Sequence, residues 1–501
     1  MKARLVAIGD SLTQGFQHGA VRRTEWSYPA MVASVLDKEK FRQGDFSGGD
    51  GGPLLDIEEL VRALPKFVGK NFDLWDLPAA GVAIVQLMDR LEKYWERGPG
   101  ADPSSTGPLH HNVAVWGFEV LDAITVTDGT CLRNTKKAKD NWLALPDMPM
   151  YRTARRVLNP SQAIENEDFT QLGVAQEIAK NGGIENLLVA LGANNALATC
   201  LRLEMLWSQS ADFRKLPHQR NVTIWESRHF IEIFDRLVEQ IEKVGAERVF
   251  LATVPHVTIA PVARGTSPRA RKLKAKERDE KGFYEYYTHF WTWDDAFDPD
   301  KDDRLTREDA RTIDATIDEY NAHIEKVAAA HANWHVLDFG QMLDDLAFRR
   351  NDGKPKRALP AGLITALKKN PQTSFRVREN DQVLLDTRFF SVPKTRPSDS
   401  APFEEWQEKF TGGLFSLDGV HPTTIGYGVV ADALLTLMQE EKVPGADPKQ
   451  LDWDAIVAAD TLVTMPPELM FSLRQTLDNL FNKAQLGRVI KKLSGLGSQP
   501  L

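Results

Sequence analysis

Ser11 stands in the turn Gly9-Asp10-Ser11-Leu12, directly after a short apolar run. A serine hydroxyl becomes an effective nucleophile only when a base takes its proton, a third group orients that base, and donors hold the oxyanion. A base of this kind occurs near the other end of the chain, in Leu417-Asp418-Gly419-Val420-His421-Pro422. The three-residue spacing lets Asp418 accept a hydrogen bond from one imidazole nitrogen while the other faces the serine. That arrangement fixes the tautomer and stabilises the imidazolium formed when Ser11 gives up its proton. Oxyanion donors can be read in Val115-Trp116-Gly117, where glycine lets a backbone N–H approach a substrate, and in Gly192-Ala193-Asn194-Asn195, where the Asn194 amide can donate. Each element also has an ordinary reading: a turn hydroxyl, a polar loop, a turn glycine and a helix N-cap.

The segments that must position these residues alternate in pattern. Five apolar runs, at residues 4–8, 112–115, 187–191, 248–254 and 334–339, read as buried parallel strands. Phe230, Ile233, Phe234, Leu237, Ile241 and Val244 share one helical face, with Gly245 placed as a C-cap. Ile313, Ile317, Tyr320, Ile324 and Val327 form a second such face, and a last helix begins near Thr423 or Thr424. Alternating strands and helices predict an α/β fold with an open parallel sheet, which binds ligands at the carboxyl ends of its strands.

Taken together and in this order, the four blocks resemble those of the SGNH, or GDSL, hydrolase family: Gly9-Asp10-Ser11-Leu12, the segment from Asn112 to Gly117, Gly192-Ala193-Asn194-Asn195, and Asp418-Gly419-Val420-His421-Pro422. The resemblance implies a three-layer α/β/α flavodoxin-like sandwich with a five-stranded parallel sheet in the order 2-1-3-4-5. It implies catalytic roles for Ser11, His421 and Asp418, and an oxyanion hole formed by the Ser11 and Gly117 N–H groups with the Asn194 amide. Gly81 is the fallback for Gly117. The third block departs from the family pattern, because Asn195 stands where aspartate is common, which leaves the oxyanion donor in place but removes the carboxylate. No Gly-x-Ser-x-Gly elbow occurs in the chain, which disfavours an α/β-hydrolase.

The resemblance covers the strands, their helices and the last helix. Ser11 and His421 belong to one site, so residues 1–440 form one hydrolase domain with insertions near 37–108, 118–184, 262–304 and 340–413, each too long for an ordinary connection. Residues 441–501 form a helical extension whose stripe at Leu469, Leu473, Leu477, Leu480 and Phe481 is expected to pack on the main domain. The glycine run around Gly48 and Gly51 lacks the lysine and context of a phosphate loop and reads as a loop.

Composition narrows the class further. The 501 residues carry 62 Lys+Arg against 70 Asp+Glu, a net charge of −8, which argues against non-specific nucleic-acid binding. No apolar stretch is long enough for a membrane span, and the first apolar run is too short for a signal peptide, so a cytoplasmic protein is expected. Two cysteines, Cys131 and Cys200, have no metal or disulfide spacing. Residues 298–309 mimic a calcium loop but place Asp303 where glycine is wanted and Asp309 where glutamate is, so a Thr306-capped helix is the preferred reading. His323, His331 and His335 lack the intervening glutamate of a zinc helix. The aromatic cluster between Phe283 and Trp293 is expected to be core packing of its insertion, with a lid over the site as the alternative.

The function expected is hydrolysis of a small-molecule, lipid or carbohydrate carboxylic ester by an esterase or lipase, without metal or organic cofactor. Acyl transfer to another alcohol uses the same residues, and a catalytically silent binding protein is the alternative from a different class.

Overall fold

The computed structural model describes residues 2–36, 41–49, 52–53, 55–69, 77–101, 107–135, 149–209, 222–266 and 278–472. Seven strands form among them: β1 Val6–Gly9, β2 Asn186–Ala190, β3 Arg248–Ala252, β4 Ala263–Thr266, β5 Tyr286–His289, β6 Leu305–Thr306 and β7 Trp334–Leu337. Four make a parallel sheet in the order β1-β2-β3-β7, with Ala7 opposite Leu188, Leu188 opposite Phe250 and Phe250 opposite His335. Every residue of β1 and β2 is buried, as expected when helices cover both faces of a parallel sheet. β4, β5 and β6 form a small antiparallel sheet.

The sheet has four strands where five were expected. Residues 112–115 do run alongside β1: Ala7 N–H donates to His111 O at 2.8 Å, Val113 N–H to Ala7 O at 2.8 Å, and Val115 N–H to Gly9 O at 3.1 Å. The pairing nevertheless amounts to one isolated parallel bridge, between Ala7 and Asn112. Gln171 explains the interruption, since its Nε2 donates to both Val113 O, at 2.7 Å, and Gly9 O, at 2.9 Å. Ala114 N–H turns to the Asn112 side chain at 3.2 Å, which satisfies a donor on this outer edge.

The helices follow their sequence signals closely. Ser227–Val244 buries the anticipated stripe and ends at Gly245, whose φ of +64° is the left-handed cap conformation. Arg307–Ala329 starts with a capping box between Thr306 and Asp309, and Thr424–Glu440 starts at Thr423, whose side chain accepts the Gly426 N–H. The helices Gln171–Gly182, Ser227–Val244 and Arg307–Ala329 pack in series, and the first and last of these reach the sheet. Thr424–Glu440 packs against Tyr28–Leu36 and β7. Its burial on nearly all sides needs Gly426, where a Cβ would stand 2.4 Å from Leu414 O. Residues 441–472 return onto this helix and bury Trp453, Ile456 and Val457. Leu469 is buried, whereas Leu473, Leu477, Leu480 and Phe481 lie outside the described residues. No helix among the described residues is long and apolar enough to cross a membrane.

Candidate active site

Ser11 begins a single helical turn, Ser11–Gln14, at the carboxyl end of β1. Asp10 caps that turn by accepting the Leu12 N–H at 3.0 Å, and Gly15 ends it with φ +92°. Gly9 is required by close approach, because a Cβ there would lie 2.8 Å from Ala190 O. The hydroxyl of Ser11 therefore emerges from a tightly fixed turn at the edge of a cleft. Burial raises the Asp10 carboxyl to about 7, with the Leu12 N–H and the nearby His421 pulling in the opposite direction.

The 416–421 loop brings His421 to this turn. His421 Nε2 lies 2.8 Å from Ser11 Oγ, and its Nδ1 lies 3.1 Å from Asp418 Oδ2. Asp418 is an acceptor on every side: Oδ1 takes the Val420 and His421 N–H groups at 2.8 and 2.9 Å, and Oδ2 takes the Gly19 N–H at 2.8 Å. Burial alone would raise this carboxyl, but His421 and the backbone donors outweigh it and hold Asp418 well below the usual carboxylate range. An ionised Asp418 fixes the proton of His421 on Nδ1 and leaves Nε2 as the acceptor for the Ser11 hydroxyl. Gly419 makes the bend between them with φ +72°, pressed against the Val262 backbone, whose N–H donates to Gly419 O at 2.8 Å.

Sequence reasoning missed the residues that hold this loop. His18, itself in the left-handed region at φ +56°, donates its backbone N–H to Ser416 Oγ at 2.9 Å and accepts the Leu417 N–H on Nδ1 at 3.2 Å. Its Nε2 faces Glu58 at 3.3 Å. The His18-Gly19 pair thus ties the segment after the nucleophile to the loop of the base. The positive φ at a buried histidine marks the spot, but nothing in the local sequence announces it.

Asn194 lines the same cleft as Ser11 and His421, at the start of the helix Asn194–Arg202. Its Nδ2 donates to Phe118 O at 2.9 Å, so one amide hydrogen anchors the side chain and the other is left for a ligand. Gly117, at φ +78°, forms the turn just before Phe118 but is not among the residues lining the cleft. The fallback Gly81 lies within the helix Leu77–Trp95, where backbone N–H groups are spent on the helix itself. Asn195 is fully buried, accepts the Val120 N–H on Oδ1 at 3.3 Å, and accepts the Trp225 N–H on its carbonyl at 2.9 Å. A neutral amide, Asn195, therefore ties the 117–121 segment to this helix.

The cleft itself holds about 80 Å³. Its lining is mostly hydrocarbon, from Leu197, Val257, Met342, Leu346, Val420 and Val430 among others. His256 also lines it, with Nδ1 2.9 Å from Asp344 and Nε2 3.1 Å from Asp318. Burial disfavours its charge, but the Asp344 bond and the charges of Asp314 and Asp344 lift its pKa to about 9. A larger cavity of about 530 Å³ opens at the other end of β1, beside Arg4, Arg42 and Glu177.

The remaining sequence features lie elsewhere. None of the aromatic residues between Phe283 and Trp293 lines the cleft. Phe290 stacks on Phe389 with centroids 4.1 Å apart, and Tyr287 and Trp291 are buried within the insertion. His323, His331 and His335 face separate carboxylates, those of Asp235, Glu242 and Glu441. Among the described residues no group of three His, Cys, Asp or Glu side chains converges on a metal position. Asp309 is spent on the capping box, and Asp298 pairs with Lys301 at 2.7 Å. Comparison of the chain with protein-family models, with curated proteins and with solved structures finds no match.

Proposed function

We propose that this chain is a cytoplasmic serine hydrolase of the SGNH type that cleaves carboxylic esters. The observation that carries the reading is the relay from Ser11 Oγ to His421 Nε2 at 2.8 Å and from His421 Nδ1 to Asp418 Oδ2 at 3.1 Å, set at the carboxyl end of a parallel strand. In this reading, residues 112–115 are the edge element of a flavodoxin-like sandwich, in the place of a second strand.

Ser11 Oγ attacks the ester carbonyl as His421 Nε2 takes its proton. The carbonyl π pair moves onto oxygen, and the oxyanion is held by the Asn194 amide with the Ser11 and Gly117 N–H groups. Collapse of the tetrahedral species expels the alkoxide, which leaves as alcohol with the proton from His421. A water molecule then attacks the acyl-serine, His421 takes its proton, and return of that proton to Ser11 Oγ releases the acid. Asp418 stays ionised and stabilises the imidazolium in both halves.

The test is hydrolysis of p-nitrophenyl butyrate by the wild-type protein and by Ser11→Ala. A rate that disappears in the variant supports the reading, with a loss on the order of 10⁴-fold or more. Equal rates for the two proteins would sink it.

A further inference from the structure

We propose that the cleft beside Ser11 is an acyl pocket for short, uncharged acyl groups of about two to four carbons, an assignment that rests on the ester-hydrolase reading above. Size is the first argument. A cavity of ~150 Å³ accommodates benzene, or ~25 Å³ per carbon, so the 80 Å³ beside Ser11 admits about three carbons.

The lining is the second argument. Four separate elements give it carbon: the loop after β3 through Pro255 and Val257, the helix Asn194–Arg202 through Leu197, the helix Phe339–Leu346 through Met342 and Leu346, and the helix Thr424–Glu440. Besides Ser11, Asn194 and His421, the polar side chains in that wall are already committed. Thr387 Oγ1 accepts the Phe348 N–H at 2.9 Å, and both ring nitrogens of His256 face carboxylates, those of Asp344 and Asp318. Apart from the relay histidine, the charge bordering the cleft is that of His256, and it is already paired with Asp344 and Asp318. An acyl group bearing its own carboxylate or ammonium would lose its hydration without gaining a partner.

The order of the reaction supplies the third argument. The alcohol must depart while the acyl group is still bound to Ser11, so the alcohol needs the solvent side and the acyl group takes the walled side. Met342 and Leu346 are 4% and 6% exposed and belong to the long segment that follows β7. These two side chains set the limit on acyl length.

The experiment measures kcat/KM of the full-length protein for p-nitrophenyl esters of two, four, eight and sixteen carbons, alongside labelling by a fluorophosphonate with Ser11→Ala as control. The expected profile peaks at two to four carbons and falls by ~10-fold or more at eight, since each misfitted methylene in an apolar pocket costs at least about that. Leu346→Ala and, should it fail to fold, Met342→Ala are expected to move the optimum toward eight carbons. Labelling at Ser11 with a flat profile, or one that rises to sixteen carbons, would overturn the pocket assignment and leave the hydrolase reading standing. Absence of both labelling and hydrolysis would overturn the two together.

Discussion

His18 Nδ1 accepts the backbone N–H of Leu417 at 3.2 Å, which joins the turn after the nucleophile to the loop that carries the base. Because Nδ1 is the acceptor, the ring proton sits on Nε2, toward Glu58. His18→Ala removes the acceptor and frees the 416–421 loop to drift from Ser11. Misplacement of a reacting group by about 1 Å costs up to ~10²-fold in rate, so the variant is expected to lose about 10- to 100-fold in kcat with KM nearly unchanged. His18→Asn keeps an acceptor and tolerates the left-handed backbone, so it is expected to recover most of the loss. Steady-state kinetics on the two variants decide this, since equal losses would show that side-chain bulk, not the hydrogen bond, is what matters.

Asp418→Asn tests the carboxylate itself. The native side chain only accepts, from Gly19, Val420 and His421. An amide must turn its NH₂ toward one of these donors, which favours the wrong imidazole tautomer. A loss of ~10⁴-fold in kcat is the expected outcome for an orienting aspartate, with the fold retained by circular dichroism. A loss below tenfold would remove Asp418 from the relay.

The meeting of Ser11 with His421 was legible although 410 residues separate them, because the chemistry of each is written into a block of a few residues. The same was true of Gly245, Thr306 and Thr423, whose capping roles are local. Residues 112–115 show where local reading stops. They have the apolar character of a strand, but the Gln171 amide that interrupts their pairing comes from 58 residues further along. His18 was invisible for a similar reason. It reads as a polar turn residue, yet it is buried by partners supplied from Glu58 and from Leu417, 399 residues away. Asn194 carried a double signal, oxyanion donor or helix N-cap; the helix takes Ala193 as its N-cap and Asn194 as its first residue, with the Asn194 Nδ2 turned to Phe118 O.

Asp10 gives the stability a pH dependence of known sign. Its carboxyl is raised to about 7 in the folded protein, against ~3.9 in an unfolded chain. Between these values the folded state holds a proton that the unfolded state has lost, so stability falls as pH rises, by up to ~1.4 kcal/mol per unit. The contribution is fully present below about pH 4 and gone above about pH 7. Asp10→Asn keeps the acceptor for the Leu12 N–H and cannot ionise. Denaturant titrations at pH 5 and pH 8 are expected to show the variant gaining on wild type at the higher pH. A wild-type advantage that grows with pH would contradict the assignment.

Asn194 separates oxyanion stabilisation from binding. Its amide is held by Phe118 O at 2.9 Å, and it borders the cleft together with Ser11 and His421. A donor fixed in this way is already in place before the reaction and gains strength only as negative charge develops on the carbonyl oxygen. Its removal should therefore act on the transition state and spare the ground state. Asn194→Ala is expected to lower kcat by ~10²–10³-fold with KM changed little, while fluorophosphonate labelling of Ser11 slows but persists. A variant that loses affinity instead, with KM raised and kcat retained, would place Asn194 in substrate binding and pass the oxyanion to the backbone N–H groups of Ser11 and Gly117.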